Sequence, residues 1–322
     1  LPQIKPIVAV ASDDSGSNTN WTFSDAYIWD GSTDTDYGTL ANWTLSQTGL
    51  TPTVLPGASD TVLIANVASD SVLDVARSTN DLFIQSSAVF KLNGKNITVN
   101  NLFSNQGTLE LVGNESVSLL NNENDVDTGT WKYVGNNDGV ADTWTIKNFD
   151  TLGRDYFNLI IDQEDGGTTD VFQITDTLTT AGTFQLVDGT FNANGNAVSS
   201  SETVTISGGT YQSSTATNTF SALTMSGGVF TGSTGLVDVN GGFRLSGGTF
   251  TAPSSLKVTG DFNTTGGTFT HNNGHVYLDG TIGQSVSGNT SFYDLTATAA
   301  SDRSLIFEAG SEQTINNNLT LT

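Results

Sequence analysis

The sequence predicts an all-β chain wound as a parallel β-helix, a solenoid whose coils are each about 20 residues long. Three observations point there. Five near-identical phrases recur: Asp188-Gly189-Thr190-Phe191, Ser207-Gly208-Gly209-Thr210-Tyr211, Ser226-Gly227-Gly228-Val229-Phe230, Ser246-Gly247-Gly248-Thr249-Phe250 and Thr265-Gly266-Gly267-Thr268-Phe269. Their aromatic residues are spaced 20, 19, 20 and 19 apart. A second row, Ile206, Met225, Leu245 and Thr264, keeps the same beat, and no segment shows a helical period long enough to compete with it. Self-similarity at this period means that each repeat is one coil touching only its neighbours.

Placed on successive rungs about 4.8 Å apart, Phe191, Tyr211, Phe230, Phe250 and Phe269 form an inward aromatic ladder at a separation that offset rings favour. The Gly-Gly pair before each ring is expected to supply positive-φ corners. Residues flanking each ring are expected to point outward, Thr190, Thr210, Val229, Thr249 and Thr268 on one side, and Asn192, Gln212, Thr231, Thr251 and Thr270 on the other. The chirality rule for parallel connections favours a right-handed helix.

Along the chain, residues 1–20 read as an apolar, β-branched strand carrying Ile4, Ile7, Val8 and Val10, followed by a flexible polar linker. Residues 21–60 hold Trp21, Trp29 and Trp43 and read as a Trp-rich N-terminal cap over the open end of a β core. Residues 61–322 read as the solenoid, at ~20 residues per coil roughly 13 coils. Within it, residues 121–156 are acidic, contain Trp131 and Trp144, and read as a looser insertion. A longer echo links Tyr156-Phe157-Asn158-Leu159 to Phe292-Tyr293-Asp294-Leu295, an offset of 136. After the first copy the chain runs on into the Gly-Gly coils; after the second it reaches Thr322 where the next coil would begin, so the C-terminal coil reads as uncapped.

Bulk composition narrows the function classes. Ten basic residues stand against 33 acidic ones, a net charge of -23, so nucleic acid and anionic membranes are poor partners. The absence of cysteine removes disulfides, thiolate metal sites and cysteine nucleophiles. No apolar run approaches the roughly 20 residues that span a bilayer, so membrane insertion is not expected. A start at Leu1-Pro2 and an acidic body rich in Asn, Thr and Gly favour an exported, extracellular protein.

The chain resembles bacterial exported parallel β-helix proteins of the adhesin and autotransporter-passenger kind. The resemblance is carried by the Gly-Gly-Thr-Phe coils, by Ser291-Phe292-Tyr293-Asp294-Leu295-Thr296, and by the opening Trp29-Asp30-Gly31, Asn42-Trp43, Leu55-Pro56-Gly57 and Asp60-Thr61-Val62. It covers most of the chain and implies a stalk, an adhesive surface or a structural fibre. The expected departure from the family pattern is a missing C-terminal cap or membrane anchor.

Candidate chemistry is sparse. Asn136, Asp138 and Asp142 surround a turn-making glycine as in part of a calcium loop, although the first and twelfth loop positions, Val134 and Thr145, lack carboxylates. Asp30, Asp34 and Asp36 form a second acidic loop that could hold Ca2+; the bland reading of both is a solvated turn. His271 and His275 flank Asn272-Asn273-Gly274 and read as turn residues, because their spacing would suit a metal only on a helix. A polysaccharide lyase or hydrolase needs acids and bases converging over adjacent coils, and residues 180–270 offer only Arg244 and Lys257 as bases, so the chain is not expected to be an enzyme. Thr249/Thr251 and Thr268/Thr270 form Thr-x-Thr pairs of the sort that order water on an ice-binding face, broken at Val229, Gln212 and Asn192.

The ends carry the leading expectation. A β-helix exposes unpaired backbone at each terminus, and a bare edge recruits another strand. The N-terminal strand with Ile4, Ile7, Val8 and Val10 is expected to add to the coil holding Ile315, Leu319 and Leu321 of another copy, giving a head-to-tail filament. The alternative is a non-polymeric adhesin stalk that binds glycans or a host surface laterally.

Overall fold

The computed structural model describes residues 7–9, 21–23, 25–149, 154–164, 169–298 and 303–321. They form an all-β parallel β-solenoid with coils of about 20 residues. The chain divides into two compact units, Leu1–Lys132 and Tyr133–Thr322.

In the first unit the chain visits three parallel sheets in turn. One contains Ala26–Trp29, Thr61–Ile64, Asp81–Ile84 and Phe103–Asn105; the next contains Ser71–Val72, Val89–Lys91 and Thr108–Leu111; the last contains Arg77–Thr79, Ile97–Val99 and Val117–Leu119. The register fixes the coil length, with Val62 beside Leu82 and Leu82 beside Phe103. Strand alternation turns Leu82, Ile84, Phe90, Ile97, Val99 and Leu109 inward, where all are buried. Between coils Asp81 is a staple. Its carboxylate accepts from Thr61 Oγ1 on the coil before (2.9 Å) and from Asn101 Nδ2 on the coil after (2.6 Å).

Trp43–Leu45 runs antiparallel to Ala26–Trp29 and covers the outer edge of the first sheet. Trp29 and Trp43 face each other across this pair with ring centroids 5.3 Å apart, both fully buried. Tyr37 packs edge-on to Trp43 at 4.6 Å. The indole N–H groups donate to Ser69 O and Tyr37 O, each at 2.9 Å, so the cluster buries three large rings without stranding the indole donors. Separately, Ile7–Ala9 pairs in parallel with Trp21–Phe23 as a two-stranded sheet.

In the second unit the three-sheet pattern repeats. The ladder sheet aligns Trp144, Phe172, Phe191, Tyr211, Phe230, Phe250 and Phe269 as successive partners. It contains all five aromatic residues of the repeated phrases and extends two rungs below them. Tyr211 and Phe230 stack at 4.9 Å and 9°, and Phe230 and Phe250 at 4.6 Å and 17°. A second sheet aligns Leu186, Ile206, Met225 and Leu245, three of the four residues of the other row read from the sequence; the fourth, Thr264, is buried just beyond the paired strand Phe262–Asn263. The third aligns Leu178, Val198, Asn218, Val237, Leu256, Val276, Leu295 and Leu319. Asn218, the one polar rung of that row, is fully buried, and its Oδ1 accepts from Tyr211 Oη at 2.7 Å.

Two details of the repeat differ from expectation. Only the second glycine of each pair has positive φ, 60° at Gly209, 66° at Gly228, 76° at Gly248 and 66° at Gly267. The first is required by contact: a Cβ on Gly208, Gly227, Gly247 or Gly266 would lie 2.1–2.2 Å from a backbone oxygen of the coil below. Thr190 is buried, so the outward threonine row starts one rung later, at Thr210.

Candidate functional site

The most unusual surface is the free face of the last described coil, built from Leu305–Phe307 and Gln313–Leu321. Four of its apolar residues sit in the register of apolar core positions on the coil beneath, whereas Ile306 lies over the half-buried Ser285. Phe307 lies over Val286, Ile315 over Phe292, Leu319 over Leu295 and Leu321 over Ala297. The lower members are 0–5% exposed; Phe307, Leu319 and Leu321 are 46%, 53% and 65% exposed. Ile315 is half-buried. Inward alternation thus continues through the final strand with no coil above it among the described residues. The apolar row is an exposed continuation of the pattern that builds the core.

Polar contacts hold this coil to the one below. Gln313 Nε2 donates to Gly288 O at 2.7 Å, and Asp294 Oδ1 accepts from Asn317 Nδ2 at 2.8 Å and from Asn318 N at 3.0 Å. Arg303 is a further clamp. Its guanidinium donates to the carbonyls of Gly280 at 2.5 Å, Leu278 at 2.9 Å and Thr298, and to Gln284 Oε1 at 2.5 Å. Neither Arg303 nor Phe307 stands out in the sequence. The signal for Phe307 is its register with Phe243, Phe262 and Val286, which only the coil-by-coil alignment exposes.

Of the N-terminal residues expected to engage this face, Ile7 and Val8 lie in the two-stranded sheet, and Ile4 and Val10 lie outside the described residues.

The two acidic loops use their oxygens locally. Asp34 Oδ1 accepts from Asp36 N and from Asn42 Nδ2 at 2.6 Å, and the Asn42 bond is the main reason the Asp34 carboxyl is held below its ordinary range. Asp36 Oδ1 accepts from Gly38 N, and Asp30 Oδ1 from Ser32 N. In the other loop Asn136 turns its amide NH2, not its carbonyl, toward Asp138 (2.9 Å) and Asp142 (2.8 Å). A calcium loop would aim oxygens inward. Among the described residues no group of three or more His, Asp or Glu side chains is placed to hold a metal ion.

A cleft of about 550 Å3 opens where the Gly-Gly corners run out, between Thr265-Gly266-Gly267, Gly288-Asn289 and Glu308–Ser311. Glu308 is the one ionisable residue in its lining, and its Oε2 already accepts from Gly288 N at 2.8 Å. A smaller hollow of about 180 Å3 contains Asp155 and Asp176. Asp155 is buried and accepts from Phe149 N and Thr179 N at 2.9 and 2.7 Å. No helix among the described residues is long and apolar enough to cross a membrane.

Comparison with known proteins finds no family model that matches the chain, and no curated protein or solved structure that does. The fold and the exposed coil face therefore define the class reached here, a parallel β-solenoid with an open core register.

Proposed function

We propose that the chain is a non-enzymatic structural subunit of an extracellular filament, joined end to end with copies of itself at a cell surface. The observation that carries this reading is the exposure of Leu319 and Leu321 at positions whose partners one coil below are buried. Apolar side chains in core register beside an unpaired strand edge invite strand addition.

The occupant we assign is the N-terminal strand of the next copy. Ile7–Ala9 is already in a parallel pairing, the sense that the coil edge requires, and its partner among the described residues is the short strand Trp21–Phe23. In the first unit a sheet edge is closed by Trp43–Leu45, unlike the open coil edge at Gln313–Leu321, so the contact proposed here joins two unlike surfaces and is heterologous. Such a contact does not close on itself and propagates a fibre. Full burial of an apolar side chain is worth about 1.5–3 kcal/mol, and Leu319 and Leu321 are 53% and 65% exposed, so covering them together supplies roughly 2–3.5 kcal/mol before ordering costs. That alone falls short of millimolar affinity. Backbone pairing and cover for Phe307 and Ile315 must add to it, and assembly should depend steeply on concentration.

Electron microscopy and sedimentation velocity over a concentration series test the proposal. Fibres that form with the intact chain and vanish on deleting residues 1–12 are expected. Monomers at all concentrations, or fibres indifferent to that deletion, would overturn it. A version carrying further C-terminal sequence that stays monomeric would assign the coil face to that sequence instead.

A further inference from the structure

Both histidines of the chain lie on the outside of the last coils, each paired with a half-buried tyrosine. His275 stacks on Tyr277 at 3.9 Å and 13°, and His271 on Tyr293 at 5.6 Å and 28°. The register places carboxylates beside these rings: Asp294 is the partner of His275 on the next rung, and Asp279 follows Tyr277 by two residues. Below Tyr277 the row continues to Lys257 and Asp238, and Asp238 is within electrostatic reach of both Lys257 and Asp279.

We infer that this face binds a basic segment of a partner protein through arginine side chains. The ligand class follows from the chemistry. A ring face attracts a cation through its quadrupole, and a guanidinium can lie flat on the ring while its N–H groups reach a neighbouring carboxylate. Asp279 and Asp294 supply such acceptors through the oxygens left over once the Oδ1 of the first accepts from Thr259 Oγ1 and that of the second from Asn317 and Asn318. Charge complementarity agrees, because a chain of net charge -23 draws basic partners from a distance and repels acidic ones. The site is lateral and uses none of the apolar residues of the coil end, so it stands or falls separately from end-to-end assembly.

Titration calorimetry with the intact chain at low salt tests this, using a short peptide of alternating Arg and Gly, its Lys counterpart and a neutral oligosaccharide. Saturable binding of the Arg peptide is expected, several-fold weaker binding of the Lys peptide, and none of the sugar. The double variant Tyr277→Ala/Tyr293→Ala should weaken Arg-peptide binding about tenfold at unchanged net charge, and Tyr277→Phe/Tyr293→Phe should restore it. An unchanged melting curve establishes that the variants fold. Arg-peptide binding indifferent to the rings would mean diffuse attraction to an acidic protein and would overturn the inference. Ring-dependent binding of the sugar alone would overturn it in favour of a glycan.

Discussion

Leu295 and Leu319 are partners on adjacent coils, yet one is 1% and the other 53% exposed. The sequence pattern treats both as core; only the neighbour above differs. The pair Ala297 and Leu321, 5% and 65% exposed, repeats the contrast two residues along.

Replacing Leu319 and Leu321 by lysine should therefore block association while leaving the monomer almost as stable, because both side chains are more than half exposed in the isolated chain and a lysine stem keeps the apolar contacts near the backbone. Sedimentation velocity should show monomers at concentrations where the parent associates, with melting temperatures within a few degrees of each other. A large loss of stability would show instead that these leucines already pack within the monomer.

The glycines separate two physical demands. Gly195 has φ 82° and open space around its Cβ position, so Gly195→Ala should cost about 1 kcal/mol, the strain of a left-handed alanine. A Cβ on Gly227 would sit 2.2 Å from Ser207 O, so Gly227→Ala must push two coils apart and should cost clearly more, about 3 kcal/mol. Urea unfolding of the two variants gives the order directly, and equal losses would refute the contact argument.

Tyr211 and Asn218 form a buried polar pair inside an otherwise apolar column. Tyr211→Phe keeps the ring stack but strands the Asn218 carbonyl oxygen, at an expected cost of about 1–3 kcal/mol. Phe230→Ala opens a cavity between two stacked neighbours and should cost about 3–5 kcal/mol. Thermal unfolding ranks them.

Burial pushes the Asp155 carboxyl above its ordinary value of 3.8, outweighing the Phe149 and Thr179 N–H bonds that pull it down. The folded protein then holds this proton more tightly than the unfolded chain. Its contribution to stability is fully present below 3.8 and is lost as pH rises through the folded value. Denaturant titrations from about pH 4 to pH 7 should show that slope in the parent, and Asp155→Asn should flatten it whatever its effect on absolute stability. A variant slope equal to the parent's would remove Asp155 as its source.

Much of the fold was legible because the repeat is written in residues with few alternatives. A ring every 19 or 20 positions after a glycine corner has one economical packing, and Phe191 to Phe269 occupy it. The third sheet was harder to see. Its row mixes Leu, Val and Asn, and the buried Asn218 looks like a turn residue until Tyr211 is found to satisfy it. The two glycines of a pair look equivalent in sequence; the need for the first comes from the carbonyl of another coil, a contact about 20 residues away. The acidic loops are ambiguous in sequence for the opposite reason: oxygen-rich turns read alike whether they bind an ion or, as at Asp34 and Asn42, hydrogen-bond within their own loop. Ile315, Leu319 and Leu321 were legible as a continuing register, whereas the Arg303 clamp is held by backbone carbonyls that sequence does not display.

The coil-on-coil register also sets how residues 133–321 would respond to mechanical load. Tension applied along the stacking direction pulls across the inter-coil ladders one rung at a time, so a coil paired on one side alone, as Gln313–Leu321 is among the described residues, peels first. Each released coil frees about 20 residues, roughly 70 Å of extended chain. Such a stack lengthens in even increments and winds back when slackened, the behaviour of a shock absorber in a tether.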